Sequence, residues 1–322
     1  MKVIAAAQVG DAAHDDFVMR ATAGTFLHTR RYRAHQDDRF RDLSLAICSD
    51  TGALLGFFPA AVDPQDDSRI VSHPGLTYGG IVHAGQLRGQ QMIEALAEIC
   101  RCYADQGFRT LRYKTIPYIY DRVPAGDDLY ALFRLGARRY RCDLLSTIDL
   151  AHRPAPSTRR RRSLRKALKA GVKVRDGPEL VAALWGVLEE NLARKHGVSP
   201  VHSAAEIAHI RSIFPEHVRI VAGLVGGEVH AGVVLFVTPR VVHAQYIASS
   251  GIGYEVAALD AVFDHCIASA SADGARYFDF GSSNEQDGRQ LNDGLFQFKS
   301  EFGAGAVAHE FYELDLRSTA SP

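Results

Sequence analysis

Arg276-Tyr277-Phe278-Asp279-Phe280 reads as a strand that ends in Gly281-Ser282-Ser283, followed by the loop Asn284-Glu285-Gln286-Asp287-Gly288. Leu291-Asn292-Asp293-Gly294-Leu295-Phe296-Gln297-Phe298-Lys299 and Phe302-Gly303 come next, so one lysine stands among aromatics. A strand running into amides, carboxylates and glycines is poor material for a core. It suits a polar site at the carboxyl end of a sheet. Upstream, 218–225 and 229–238 form a hairpin about Gly226-Gly227, and Pro239-Arg240 turns into a third strand at 241–248. A helix is expected over 255–272, ended by Gly274. A short helix near 291–301 and a strand at 307–316 close the chain.

The first half gives the same order of parts. A hairpin of 43–47 and 53–62 turns at Asp50-Thr51-Gly52, and 69–72 is a third strand. In 91–104, Met92, Ile93, Leu96, Ile99, Cys100 and Tyr103 recur at helical spacing, and Gly107 stops the helix. A strand at 109–114, a short helix at 127–135 and a strand at 138–150 follow. The segment Ala151-His152-Arg153-Pro154-Ala155-Pro156-Ser157 has linker composition. A basic helix at 159–169 and two more helices, 180–195 and 204–213, precede the second meander. The expected division is therefore 1–150 and 151–322, an inferred structural duplication without likeness of sequence.

With 322 residues, 47% of them hydrophobic, the chain supports one large domain or two of about 150 residues. The 37 basic and 37 acidic residues balance, which argues against a generally basic nucleic-acid binder. The cysteines are odd in number and irregularly spaced, with no CxxC, so neither a disulfide framework nor a zinc site is expected. His196 and His202 offer two histidines without a third ligand at metal spacing. The apolar start, 3–7, is too short for a signal peptide, and no run has the length of a spanning helix. A soluble, cytoplasmic protein is expected. No G-x-S-x-G elbow or Walker A loop occurs.

The Phe-Lys-x-x-Phe-Gly ending, the 218–302 region, His73-Pro74-Gly75-Leu76-Thr77-Tyr78-Gly79-Gly80 and Tyr113-Lys114-Thr115-Ile116-Pro117 carry a resemblance. The chain resembles the Fem-type tandem acyltransferases of the GNAT superfamily, in the branch associated with surface polysaccharides. It lacks the long coiled-coil insertion that some of them carry for tRNA-related work. The resemblance implies an α/β fold of two GNAT-like lobes, each a mixed, mainly antiparallel sheet flanked by helices. It also implies acyl transfer from acyl-CoA, a co-substrate rather than a tightly bound cofactor, to an amine of an amino sugar or nucleotide-linked sugar. An acyl-carrier protein or an aminoacyl-tRNA is the alternative donor, with the 159–169 basic helix as its docking site. A GNAT-fold binding protein without catalysis is a third reading. In such a lobe the donor's pyrophosphate meets the segment before the long helix, here Ser249, Ser250, Gly251, Gly253 and Tyr254, which lacks the usual leading basic residue.

Within that frame Lys299 is expected in a shielded site, either stabilising an oxyanion or binding a phosphate; a snorkelling surface lysine is the plain alternative. Asp279, between Phe278 and Phe280, needs a partner if buried, and is read as a general base or as a charge partner for Lys299 or Arg276. Glu285 and Asn292 are loop candidates for catalysis and substrate binding. On the third meander strand, alternation puts His243 and Gln245 on one face and Tyr246 on the other. His243 and Tyr246 are candidate catalytic groups and Gln245 a candidate substrate contact. His73, Thr77, Tyr78, Lys114 and Tyr120 are candidate acceptor contacts, Lys114 for an anionic group; tight structural turns explain the same residues equally well.

Overall fold

A computed structural model of the chain describes residues 1–36, 39–196 and 200–317, without the side chains of 194–196. The His196 side chain considered above lies outside the described residues. Two compact units share the chain. The first takes Met1–Asp143, Gln286–Arg289 and the chain from Ala308; the second takes Leu144–Glu285 and Gln290–Val307. Both are α/β, with sheets flanked by helices.

The strands of unit 1 are β1 (Lys2–Ala5), β2 (Leu45–Cys48), β3 (Leu54–Phe58), β4 (Ala61–Asp63), β5 (Asp66–Val71), β6 (Val82–His83) and β7 (Thr110–Lys114). Its helices are α1 (Asp11–Arg20), α2 (Arg30–Arg33), α3 (Gln90–Asp105) and α4 (Asp127–Arg134). β1, β2, β3 and β6 form an antiparallel sheet. β4 and β5 form a hairpin, and β5 pairs parallel with β7. The periodic face of α3 buries Met92, Leu96, Ile99, Cys100 and Tyr103 against Ile47, Phe58, Leu111 and Tyr113. Each such side chain contributes about 1.5–3 kcal/mol on leaving water. β8 (Arg138–Asp149) begins in this unit and ends in the next.

Unit 2 opens with α5 (Thr158–Lys169), β9 (Lys173–Asp176), α6 (Val181–His196) and α7 (Ala204–Ile213). The meander β10 (Val218–Val225), β11 (Glu228–Val237) and β12 (Val241–Ser249) follows as expected. Then come α8 (Gly251–Glu255), α9 (Ala258–Ala272), β13 (Tyr277–Ser282), the short ladder of β14 (Asn284–Glu285) and β15 (Gln290–Leu291), and α10 (Asp293–Ser300). β16 (Gly305–Asp315) leaves unit 2 after Val307 and pairs antiparallel with β7 in unit 1. On one face of the unit 2 sheet, α9 packs Val262, Phe263, Cys266 and Ile267 against Val233, Val242, Phe278 and Phe280. The other face carries α6, with Leu184 closing on Gly232 so tightly that a Cβ there would lie 2.7 Å from it.

Two local expectations change. The helix expected over 255–272 is two helices. Ser250 caps the first, its hydroxyl accepting from the Gly253 amide at 3.1 Å. Ala257, left-handed at φ 59, turns the chain before the second. The edge strand β9 was missed because Lys-Val-Arg-Asp shows no apolar alternation; it is held by its ladder to β10. Among the described residues no helix is long and apolar enough to cross a membrane.

Candidate active site

β12 and β13 are parallel neighbours for only three residue pairs, ending at His243 opposite Asp279. Beyond that pair β12 runs on to Ser249 and β13 to Ser282 without further pairing to each other. The last paired residues thus stand at the root of a splay. Asp279 Oδ2 lies 2.8 Å from His243 Nδ1. Asp279 Oδ1 accepts from the Thr147 hydroxyl at 2.9 Å and the Gly281 amide at 3.0 Å. Burial alone would raise the Asp279 carboxyl, but the hydrogen bond and charge of His243, with Gly281 and Thr147, outweigh it and hold the pKa below the usual value. An ionised carboxylate only accepts, so the imidazole proton sits on Nδ1. Among the described residues Nε2 has no hydrogen-bond partner. The acid and the histidine singled out separately are one dyad, and Thr147 on β8 is a member that no sequence signal marked.

The expected faces of β12 need correction. The β11–β12 register shifts between Val234 and Leu235, pairing Val234 with Tyr246 and Leu235 with Ala244. Gln245 is the extra residue of a bulge, which resets the alternation. Directly paired residues share a face, so Tyr246 follows Val234 and His243 follows Phe236. Tyr246, expected on the opposite face, therefore lies on the His243 face. Its ring packs edge-on to Trp185 of α6, 5.1 Å between centroids, and its hydroxyl lies 2.5 Å from His202 Nδ1. His202 enters the site region as the partner of Tyr246.

Lys299, on α10, is 3% exposed, so it is no snorkelling surface residue. Its Nζ donates to the Ser282 carbonyl at 2.6 Å and the Gly281 carbonyl at 3.1 Å. Two of its three N–H groups are used. Burial lowers its pKa to about 8, with the Asp279 charge pulling the other way. Gly281 is left-handed at φ 73, and a Cβ there would lie 3.3 Å from the His243 ring. Lysine, strand end and dyad are thus linked through one residue: Gly281 accepts from Lys299 through its carbonyl and donates to Asp279 through its amide. Phe302 is buried in the core and Phe298 packs against it. Arg160, also buried, stacks over Phe298 and pairs with Asp260 at 2.7 Å and Glu301 at 3.0 Å, fixing α10 to α5 and α9.

In the segment before α9, Ser249 is buried and Tyr254 half exposed. Gly253 is required by packing, since a Cβ there would lie 2.2 Å from the His230 carbonyl, whereas Gly251 faces open space. Asn292 caps α10 by accepting from Leu295 N at 3.0 Å, and donates to Glu285 at 2.8 Å. Both thus serve the β14–β15 turn and the start of α10.

In unit 1 the 73–80 loop is held by side chains through its carbonyls. Lys114 Nζ donates to Leu76 and His73 carbonyls, Gln36 to Gly75, and the His28 ring lies 3.2 Å from the Gly79 oxygen. Tyr78 donates to the Thr25 hydroxyl at 3.2 Å and stacks on Tyr120, 4.3 Å between centroids. Thr77 is half-buried in the same loop. Burial, with the Arg141 charge, brings Lys114 to about 8. His73 is driven to about 3 by burial and by Arg33, so its ring is neutral at pH 7. Among the described residues no group of three His, Cys, Asp or Glu side chains is arranged to hold a metal.

Unit 2 thus has a splayed parallel pair after an antiparallel meander, with a long helix between. Residues 157–299 match the family model of the acetyltransferase (GNAT) domain. The matched GNAT region runs from the cap of α5 to Lys299. The whole chain is similar in fold to the crystal structure of FemX: 14% identity, 99% of this chain and 98% of that one covered, TM-score 0.70. It is also similar to the C-terminal domain (DUF2156) of a putative lysylphosphatidylglycerol synthetase from Agrobacterium fabrum, at 13% identity, with coverages of 95% and 92% and TM-score 0.62. A tandem GNAT protein from the clavulanic acid biosynthesis pathway aligns at 11% identity over 85% and 82%, TM-score 0.50. No curated protein matches the chain.

Proposed function

We propose that the protein transfers an acyl group from a thioester, acyl-CoA in its simplest form, to the amine of an amino sugar or nucleotide-linked sugar. The observation that carries this reading is the His243–Asp279 dyad, 2.8 Å apart where β12 and β13 part. Asp279 fixes the tautomer, which leaves Nε2 to take the proton from the amine as its nitrogen attacks the carbonyl carbon. The oxyanion collapses, the C–S bond breaks, and the thiolate leaves with the proton His243 took. The third N–H of Lys299 supplies a cation to the oxyanion in a poorly solvated setting. The donor's phosphates are assigned to Ser249–Tyr254, where the Gly251 and Ile252 amides open α8 ahead of the Gly253 amide that Ser250 caps. Within unit 1, Lys114, Tyr78 and Tyr120 order the loop that bears His73 and Thr77, which stay candidates for binding an acceptor.

The test supplies acetyl-CoA and longer acyl-CoAs with hexosamines and UDP-linked amino sugars, and follows thiol release and the mass of the amide. Turnover that His243→Ala abolishes is the expected result. No turnover with any pair, together with no thermal stabilisation by any acyl-CoA, overturns the reading. Gly251→Glu is the probe of the donor loop, because its side chain enters open space while one at Gly253 strikes the β11 backbone.

A further inference from the structure

From Leu150 through Arg175 the chain has no Asp or Glu, although its charges balance overall. The structure gathers much of that excess on one face of α5. Arg160 and Ala167 turn inward and are buried, whereas Arg161, Arg162, Arg165, Lys166 and Lys169 are exposed. None of those five has a carboxylate partner among the described residues. Residues 161, 165 and 169 follow one another at i, i+4, about 5–6 Å apart along the helix. Leu168 lies beside this row and is 63% exposed.

We infer that this face docks an acidic helix of a protein that carries the acyl group as a thioester on a pantetheine arm. Carboxylates at helical spacing complement the row of cations, and an apolar side chain between them covers Leu168. A phosphodiester backbone uses the cations but has nothing to set against the leucine. A lipid surface calls for a broader apolar face than one residue. The position of the helix suits delivery: Arg160 ties the first turn of α5 to Asp260 in the first turn of α9 and to Glu301 just beyond Lys299. A carrier on α5 therefore docks on a helix pinned to the elements that follow the donor loop and bear the site lysine. The inference rests on the acyl-transfer reading and names the source of its thioester.

The experiment measures binding of the full chain to acetylated holo acyl-carrier protein, to a bulk tRNA preparation and to phosphatidylglycerol vesicles. The variants are Arg161→Glu/Arg165→Glu/Lys169→Glu and Leu168→Gln. Carrier binding is expected to weaken by about tenfold or more in the triple variant and by severalfold in Leu168→Gln. It should also weaken as salt rises. Carrier binding that is absent, or unchanged in both variants, overturns the inference, as does tRNA or vesicle binding that depends on these cations while carrier binding does not. Acetyl-CoA binding is measured in parallel. If acetyl-CoA stabilises the protein and the carrier does not bind, only the docking inference fails; if neither binds, the acyl-transfer reading fails with it.

Discussion

His243 and Asp279 lie 36 residues apart, and Thr147 is 132 residues from Asp279. Each carries chemistry only through the others. His243→Ala and Asp279→Asn are expected to lower kcat by about 10²–10⁴, the usual worth of a positioned acid–base group. Thr147→Val, which removes a hydroxyl donor from the carboxylate, should cost less. A His243→Ala enzyme with wild-type kcat removes the dyad from the mechanism. Lys299 gives a prediction in pH. Burial holds its folded pKa at about 8, below the 10.5 of a free lysine, so the cation is lost as pH rises through about 8, and activity that needs it should fall there. Across that same window the unfolded chain holds the extra proton, so this group makes folding more favourable as pH rises. Loss of rate above pH 8 without loss of melting temperature is thus the signature. Lys299→Arg, which stays charged, should push the limb upward; an unmoved limb assigns it to another group. The sequence singled out His243, Asp279 and Lys299 one at a time, because each is a polar residue in apolar company. It could not show that parallel strands pair the first two.

At the scale of elements, α5 has an interior that its composition conceals. Arg159 to Arg162 look alike in sequence, yet Arg160 alone of the four is buried, against Asp260, Glu301 and two phenylalanine rings. Arg160→Leu leaves buried acids uncompensated and should cost about 3–5 kcal/mol in a denaturant melt. Arg162→Leu, on the exposed face, should stay within about 0.5 kcal/mol. Equal effects would show that the staple adds nothing to stability. The elements legible beforehand were those whose signal is local: the Gly226-Gly227 hairpin, the periodic face of α3, the alternating β10 to β12. The bulge at Gln245 was not, since Val-Val-His-Ala-Gln-Tyr-Ile alternates well enough in either register and only the β11 partner fixes the count. The break at Ala257 escaped for a related reason: alanine is the last residue whose letter suggests a left-handed turn.

For the molecule as a whole, the order of parts was readable in both halves, but the path of the last strand was not. Residues 308–317 belong to unit 1, where Leu314 and Leu316 are buried and Phe311–Asp315 pairs with β7. A fragment cut at residue 150 lacks them. Two leucines at about 1.5–3 kcal/mol each are a large share of a stability of about 5–15 kcal/mol. Residues 1–150 alone should therefore bind a hydrophobic dye and lack near-ultraviolet dichroism; a sharp cooperative melt would show that the strand is dispensable. One further feature makes the intact protein easy to follow. The chain has a single tryptophan. Trp185 lies edge-on to Tyr246, and its indole N–H donates to the His202 carbonyl at 3.2 Å. All ultraviolet-excited red-edge emission therefore originates beside the face that bears His243. A molecule settling on that face should change the colour or lifetime of the indole emission without any label attached, and Trp185→Phe should silence the signal. The protein thus holds its own optical gauge of occupancy.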